Sequence, residues 1–442
     1  MKAMADIALL GWIPAILLIF TMLPPRRAVI AAFLAGWCFL PVYGYEMPGV
    51  PPYDKQSATC VGILLAALAF DGARLFRFRP SLVDLPMLAW CFAPLISNTL
   101  GERGAYEGMS TSVKHIFAWG IPYFIGRLYI TDLQGAKDLA MGLFIAGLVY
   151  VLPCLFEIKM SPQLHTMVYG FFPHGDFTMT QRGGGWRPTV FMHHGLAVGL
   201  FMCACAVVGV WIAKCKSTTS VFGAPALACA AVLFLVAVLC KSTGANVLMV
   251  IGLATLWVSV ALRSRWPMWG VVLFPVAYIA LRTIGGWQAK ELVELAALVS
   301  ADRSGSLYWR LASETDCWNL MGSSSLFGFG YFKFAGLRLE GSETIVTPDG
   351  MWLIALVANG LFGVAAFYGS LLLPVIVFVR RVHPSYWAHP AVAPAMAVVT
   401  IVVMFAVDNL FNAMPNPVFV LSAGAMVSVG RSIPRSARSA RR

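Results

Sequence analysis

Charge is scarce in this chain. Of 442 residues only 12% are Asp, Glu, Lys or Arg, 59% are hydrophobic, and the mean hydropathy is +0.76. Soluble domains carry about a quarter charged residues, so a soluble globular fold is excluded. Short alternating strands are lacking, which excludes a β-barrel. No small-residue cleavage site follows the apolar N-terminal run. Pro24, Pro25, Arg26 and Arg27 follow it instead, so the run reads as a retained first helix. There is no internal repeat, and no low-complexity tract before the basic tail. The ten cysteines show neither disulfide nor metal spacing; most lie inside apolar runs and read as small packing residues. No strand precedes Gly328-Phe329-Gly330, so a dinucleotide fold is rejected. The net charge of +12 comes without a folded nucleic-acid motif. The tail "RSIPRSARSARR" suits anionic lipid instead.

What the chain has is apolar runs of about 20 residues, each able to cross the hydrocarbon core as a helix. They fall near 5–23, 28–46, 58–75, 82–98, 112–130, 137–156, 190–213, 221–240, 243–262, 266–283, 350–378, 391–409 and 416–430. The expected fold is an all-α polytopic membrane protein with about twelve to thirteen transmembrane helices and one large extracytoplasmic loop. Arg26 and Arg27, then Arg74, Arg77 and Arg79, Lys137, Lys214 and Lys216, Arg263 and Arg265, and Arg380 and Arg381 fall on alternate connections and mark the cytoplasmic side. The organisation reads as N-terminal helices (1–156), a first outer loop (157–189), central helices (190–283), a large outer loop (284–349), C-terminal helices (350–430) and a basic cytoplasmic tail (431–442).

Both outer loops are long and contain Trp, Tyr and Phe, which favours order and function over disorder. "WQAKELVELAALV" has apolar residues at helical spacing and suits the membrane surface. Guanidinium groups gather on this side: Arg182, Arg187, Arg282, Arg303, Arg310 and Arg338, with Lys290 and Lys333. Outward-facing arginines do not serve the positive-inside rule. Their planar forks suit phosphate oxygens, hence a polyanionic lipid head group; the alternative is local pairing with Glu291, Glu294, Asp302, Glu314 and Asp316. "RGGGWRPTVFMHHGLAVGLFM" puts His193 and His194 at the start of a helix, able to take a proton, bond a sugar or bond backbone. Adjacent histidines point to different sides, which argues against a two-histidine metal site. Asp71, Asp84, Lys114, His115, Arg127 and Asp408 lie in or beside apolar runs, where charge is expensive and pairing is expected. Trp186, Tyr308, Trp309 and Trp318 read as an interfacial aromatic belt or as sugar-stacking groups. Asp349 stands immediately before the run "MWLIALVANGLFG", as a helix cap or a reactive carboxylate.

In combination these segments resemble the O-antigen polymerase and O-antigen ligase superfamily. Arg310, "SLFGFG" at 325–330 and "DGMWLIALVANGLFG" at 349–363 are similar to its C-terminal signature. "RPTVFMHHGLA", "LCKSTGANVLMVIGL" and "DNLFNAMPNPVFVLSAG" resemble its other helix starts, with Thr243 where an arginine usually stands. The likeness spans roughly 185–430. Ligases typically carry histidine where this chain has Asp349; the acidic residue points to a polymerase-like member.

The resemblance implies a fold similar to a GT-C-type membrane glycosyltransferase in the bacterial inner membrane, its active site facing the periplasm. It would join undecaprenyl-diphosphate-linked oligosaccharides into O-antigen or exopolysaccharide, alongside a chain-length regulator and other assembly proteins. The expected site has Asp349, His193 or His194 as base and Arg187, Arg310, Arg303 and Arg182 on the diphosphate, with Gly328, Gly330 and Asp408 in support. Neither metal nor cofactor is implied. The rival readings are an O-antigen ligase acting on a lipid A-core acceptor and, from another class, a lipid-linked glycan flippase.

Overall fold

The computed structural model describes residues 2–101, 104–298, 301–330 and 348–433, omitting the side chains of 296, 301–303, 306 and 323. Each expected apolar segment carries a helix. In chain order the helices are α1 (Ala3–Met22), α2 (Pro25–Phe39), α3 (Lys55–Leu75), α4 (Leu85–Leu100), α5 (Gly104–His115), α6 (Ile121–Tyr129), α7 (Leu133–Met160), α8 (Leu164–Tyr169) and α9 (Gly195–Lys214). They continue as α10 (Ala226–Leu239), α11 (Thr243–Ala261), α12 (Trp266–Thr283), α13 (Lys290–Ala297), α14 (Ala301–Met321), α15 (Met351–Arg381), α16 (Ala393–Asp408) and α17 (Pro417–Ser432). Strand structure among the described residues is limited to three two-residue antiparallel pairs in turns. One of them is β3 (Gln181–Arg182) with β4 (Gly185–Trp186).

Seven of the described helices are long and apolar enough to cross a membrane, fewer than the twelve to thirteen crossings expected. The difference has physical causes. α16 and α17 have 16 residues each, or about 24 Å of helix. Every residue of α16 and all of 417–430 in α17 are buried, as befits helices that are apolar all round. Neighbouring helices surround them, so they need not match a bilayer's thickness. The segment expected at 28–46 stops at Phe39 because Leu40 turns extended just before Pro41. The connection expected at 99–111 is mostly helix, since α5 starts at Gly104, packs back along α4 and passes through a π-turn at Ile116–Gly120 into α6.

Charges inside the apolar runs are paired. Arg127 grips Asp84 through Nε (2.8 Å) and Nη2 (2.9 Å). Arg74 holds Asp71 at 2.6 Å, and His115 Nδ1 lies 3.1 Å from the Trp90 carbonyl. The ten cysteines are thiols, nine of them buried, and pack as apolar residues.

α15 is interrupted at Gly360, whose φ of 64° and ψ of −166° belong to a region open essentially to glycine. The break would orphan backbone groups, and the segment 325–330 satisfies them. Phe329 and Gly330 donate to the carbonyls of Val357 and Ala358 (2.9 Å each). Leu361 and Phe362 donate to those of Ser325 (2.8 Å) and Leu326 (3.0 Å). Gly328 and Gly330, both with positive φ, therefore seat the end of the outer segment in a broken membrane helix. Neither lines the cavity described next.

Candidate functional site

Helix ends and loops at one end of the bundle line a cavity of about 890 Å³. Arg182, Arg187, Arg310, His194, Asp349 and Asp408, six of the expected site residues, all line it. They come from five separate segments, so the fold rather than sequence proximity gathers them.

Arg187 follows the β3–β4 hairpin, which turns at Gly183 and Gly184 with φ of 52° and 68°. Lys241, in the tight turn between α10 and α11, clamps that hairpin: its Nζ donates to the carbonyls of Arg182 (3.1 Å) and Gly183 (3.2 Å). The Lys241 carbonyl in turn accepts from Arg187 Nη2 at 3.3 Å. The Arg187 stem crosses the first residue of α9, where a Cβ on Gly195 would sit 2.3 Å from Arg187 Cδ. Only glycine permits that approach. Glu157, buried near the end of α7, accepts the N–H groups of Thr189 and Val190 (2.8 Å each) and Leu164 (3.0 Å). That fixes the strand of chain leading to His194.

His194 caps α9, its Nδ1 accepting the Leu196 N–H at 3.0 Å. The neutral ring then carries its proton on Nε2, which makes it a donor toward the cavity. Burial first, then the guanidinium groups of Arg187, Arg310 and Arg182, hold its pKa below the ordinary histidine value. The base role envisaged for His194 conflicts with this bonding, because the acceptor nitrogen is already used. His193 does not line the cavity; its ring lies 6.2 Å from that of Trp37.

Arg310 is carried on α14, and α14 is anchored by a buried ion pair. Arg282 Nε meets Glu314 Oε2 at 2.6 Å, with both side chains 2% exposed. Tyr278 Oη donates to the same carboxylate at 2.8 Å, and Arg282 Nη2 donates to the Leu311 carbonyl at 2.6 Å. Arg282 and Glu314 thus pair locally, the alternative weighed for the outer arginines. Glu314 follows Arg310 by one turn, so the anchor sets where Arg310 stands.

Asp349 does not cap α15. The N-cap is Gly350, without a side-chain cap bond. The first amides of the helix, Met351 and Trp352, donate to the Asn412 (3.1 Å) and Asn409 (3.3 Å) carbonyls. The Asp349 side chain remains 55% exposed and faces Arg310, with Oδ2 3.7 Å from Nε. Asp408, at the end of α16, is buried and accepts from Asn412 Nδ2 at 2.8 Å. Trp309, 74% exposed, also borders the cavity, whereas Trp318 is partly buried against the core.

The cavity has a second character. Ser242, Thr243 and Gly244 bring the start of α11 to it; Ser242 makes no side-chain cap bond, so the positive end of a 19-residue helix faces the cavity. Beyond the charged groups, Val247, Ile251 and Phe274 on α11 and α12 form an apolar wall. All three are 39–50% exposed, so this wall continues to the outer surface of the helix bundle. The arrangement is cationic at one end and greasy at the other.

The backbone of Arg303 lies in α14 and its side chain falls outside the described residues, as do Arg338 and Lys333 entirely. Lys290 is exposed on α13. Lys241 and Glu157 were not among the residues the sequence singled out. The signal for Lys241 was a lysine between two closely spaced apolar runs; for Glu157 it was a carboxylate at the edge of one.

The fold is that of an all-α protein with membrane-spanning helices. The sequence matches no protein-family model and no curated protein. Any particular activity must therefore be argued from the cavity.

Proposed function

We propose that this protein is a membrane glycosyltransferase that polymerises undecaprenyl-diphosphate-linked oligosaccharide repeat units on the periplasmic face of the bacterial inner membrane. The observation that carries the reading is the joining of Arg182, Arg187 and Arg310 to an apolar wall in one cavity. A polyprenyl diphosphate has the matching two-part chemistry. Its phosphates suit three guanidinium groups, the α11 N-terminus and His194 Nε2–H. Its tail suits the exposed wall of α11 and α12.

In the reaction the bond between the donor sugar's anomeric carbon and the diphosphate oxygen breaks, and the diphosphate leaves with the electron pair. An acceptor sugar hydroxyl forms the new bond to that carbon and gives its proton to the Asp349 carboxylate. Arg187 is held by Lys241, Gly195 and the Glu157-braced loop, and Arg310 by the Arg282–Glu314 anchor, so the charge growing on the leaving group meets preorganised donors. Arg310 faces Asp349. A bound diphosphate would take over Arg310 and free the carboxylate to act as base.

The test is transfer by purified protein in detergent, with an undecaprenyl-diphosphate-linked repeat as donor and acceptor. Arg187→Ala and Arg310→Ala should each lower the rate about 10²–10³-fold. In cells they should leave single lipid-linked repeats to accumulate, and normal polymer length in both variants would refute the site. Accumulation of long lipid-linked chains instead would assign the ligase reaction. One observation favours a transporter, namely the interruption of α15, since transporters build sites from broken helices. Here the freed backbone groups bond to 325–330 rather than opening onto the cavity. Transfer in detergent, where no two compartments exist, separates the two.

A further inference from the structure

A second polar cavity, of about 620 Å³, lies at the other end of the bundle, at the C-terminal ends of α3, α6 and α17. α17 spans the gap: Met414, just before it, borders the first cavity, and Ser428 and Arg431 border the second. Its 16 residues separate the two by about 24 Å. Five arginines line this cavity, Arg74, Arg77, Arg79, Arg127 and Arg431, against one carboxylate, Asp71.

Its floor is fixed. Arg127 is 6% exposed and fully engaged, by Asp84, the Ser428 hydroxyl (2.6 Å) and the Arg79 carbonyl (2.9 Å). Arg74 is held by Asp71 and lies over the Tyr129 ring, 5.0 Å from its centroid. Asp71 and Asp84 are thereby used. Arg77, Arg79 and Arg431 are exposed at the rim and have no carboxylate partner among the described residues. Three unanswered guanidinium groups around a concave, ordered floor make a receptor for a polyanion. The surrounding basic connections mark this face as the cytoplasmic one, where anionic phospholipid is abundant.

We propose that this cavity is a binding site for a phosphate-bearing ligand, the head group of an anionic phospholipid, held by Arg77, Arg79 and Arg431 over the Arg127–Asp84 floor. The proposal is independent of the transferase reading, since none of these residues touches the first cavity. Native mass spectrometry of the purified full chain, titrated with cardiolipin or with phosphatidylcholine, tests it. Wild type should retain cardiolipin at least tenfold better than phosphatidylcholine. Replacing Arg77, Arg79 and Arg431 by Ala should weaken cardiolipin about fivefold per arginine, on the order of a hundredfold together. Replacing Arg27, Arg263 and Arg380 by Ala removes the same charge from the same face and should leave binding within about twofold. Equal losses in the two triple variants, or none in the first, would overturn the site in favour of diffuse attraction. If the first triple variant does not fold, Arg77→Ala alone should still give the single fivefold step. Displacement of cardiolipin by millimolar inorganic phosphate would make the natural ligand a soluble phosphate; failure to displace it assigns the lipid.

Discussion

The anchor beneath Arg310 gives a quantitative prediction about stability. Arg282 and Glu314 are each 2% exposed, 2.6 Å apart, and share Tyr278, the Leu311 carbonyl and Thr315 as further partners. Glu314→Ala would leave a buried guanidinium without its counterion. Breaking such a pair from one side is worth about 3–5 kcal/mol. Removing both charges and refilling the space, as in Arg282→Met with Glu314→Leu, is often neutral, so the double variant should lose less than about 2 kcal/mol. Equilibrium unfolding in mixed micelles measures both, and limited proteolysis of the 284–349 segment reports whether α14 has come loose. Activities should follow the same order. Glu314→Ala should lose transfer with Arg310 itself intact, and the double variant should recover most of it, because α14 is again packed. Glu314→Ala as stable as wild type, or a double variant no more stable than Glu314→Ala, would refute the claim that this pair holds Arg310 in place.

Other expectations can be checked in the same preparations. Asp349→Asn should lower transfer far more than it lowers thermal stability, because Gly350 and the Asn409 and Asn412 carbonyls already serve the start of α15; equal losses would make the carboxylate structural. Gly360→Ala would put a Cβ 2.3 Å from the Leu326 backbone and force an unfavourable φ, so it should expel 325–330 and destabilise by at least about 1–3 kcal/mol, read as a lowered melting temperature. The His174 imidazole is pushed down to about 4, chiefly by burial and then by His194, His165 and Lys55. Its folded value lies below its unfolded one, so the unfolded chain binds the extra proton first. Stability should hold above about pH 6.5 and fall as pH drops from there toward 4. His174→Gln should flatten that slope, and an unchanged slope would remove His174 as its source.

The sequence made two kinds of information legible, and each has a physical basis. Apolar runs of a helix's length predict helices wherever lipid or protein must cover them, and each of the thirteen segments carries one. The same runs cannot say which helices face lipid. α16 and α1 are both strongly apolar, yet every residue of α16 is inside protein while only Ala5, Leu9, Ile16 and Phe20 of α1 are buried. Charges out of place were the other legible signal. The outer arginines contradicted the positive-inside pattern, and Arg187, Arg182 and Arg310 meet in one cavity because hairpin, helix start and outer helix all close over the same end of the bundle. What stayed hidden was the division of labour among like residues. Arg282 and Arg310 are both outer arginines in the sequence; one is consumed by Glu314 and the other faces the cavity. Asp349 and Asp408 are both carboxylates at helix ends; one is exposed before Arg310 and the other is buried against Asn412. The adjacent histidines differ in the same way, since the Leu196 amide fixes His194 as a donor at the cavity while His193 sits by Trp37. Those distinctions are set by partners far away in the chain. A single arginine's role in this protein is therefore decided by which partner the fold brings to it, as Glu314 claims Arg282 across 32 residues.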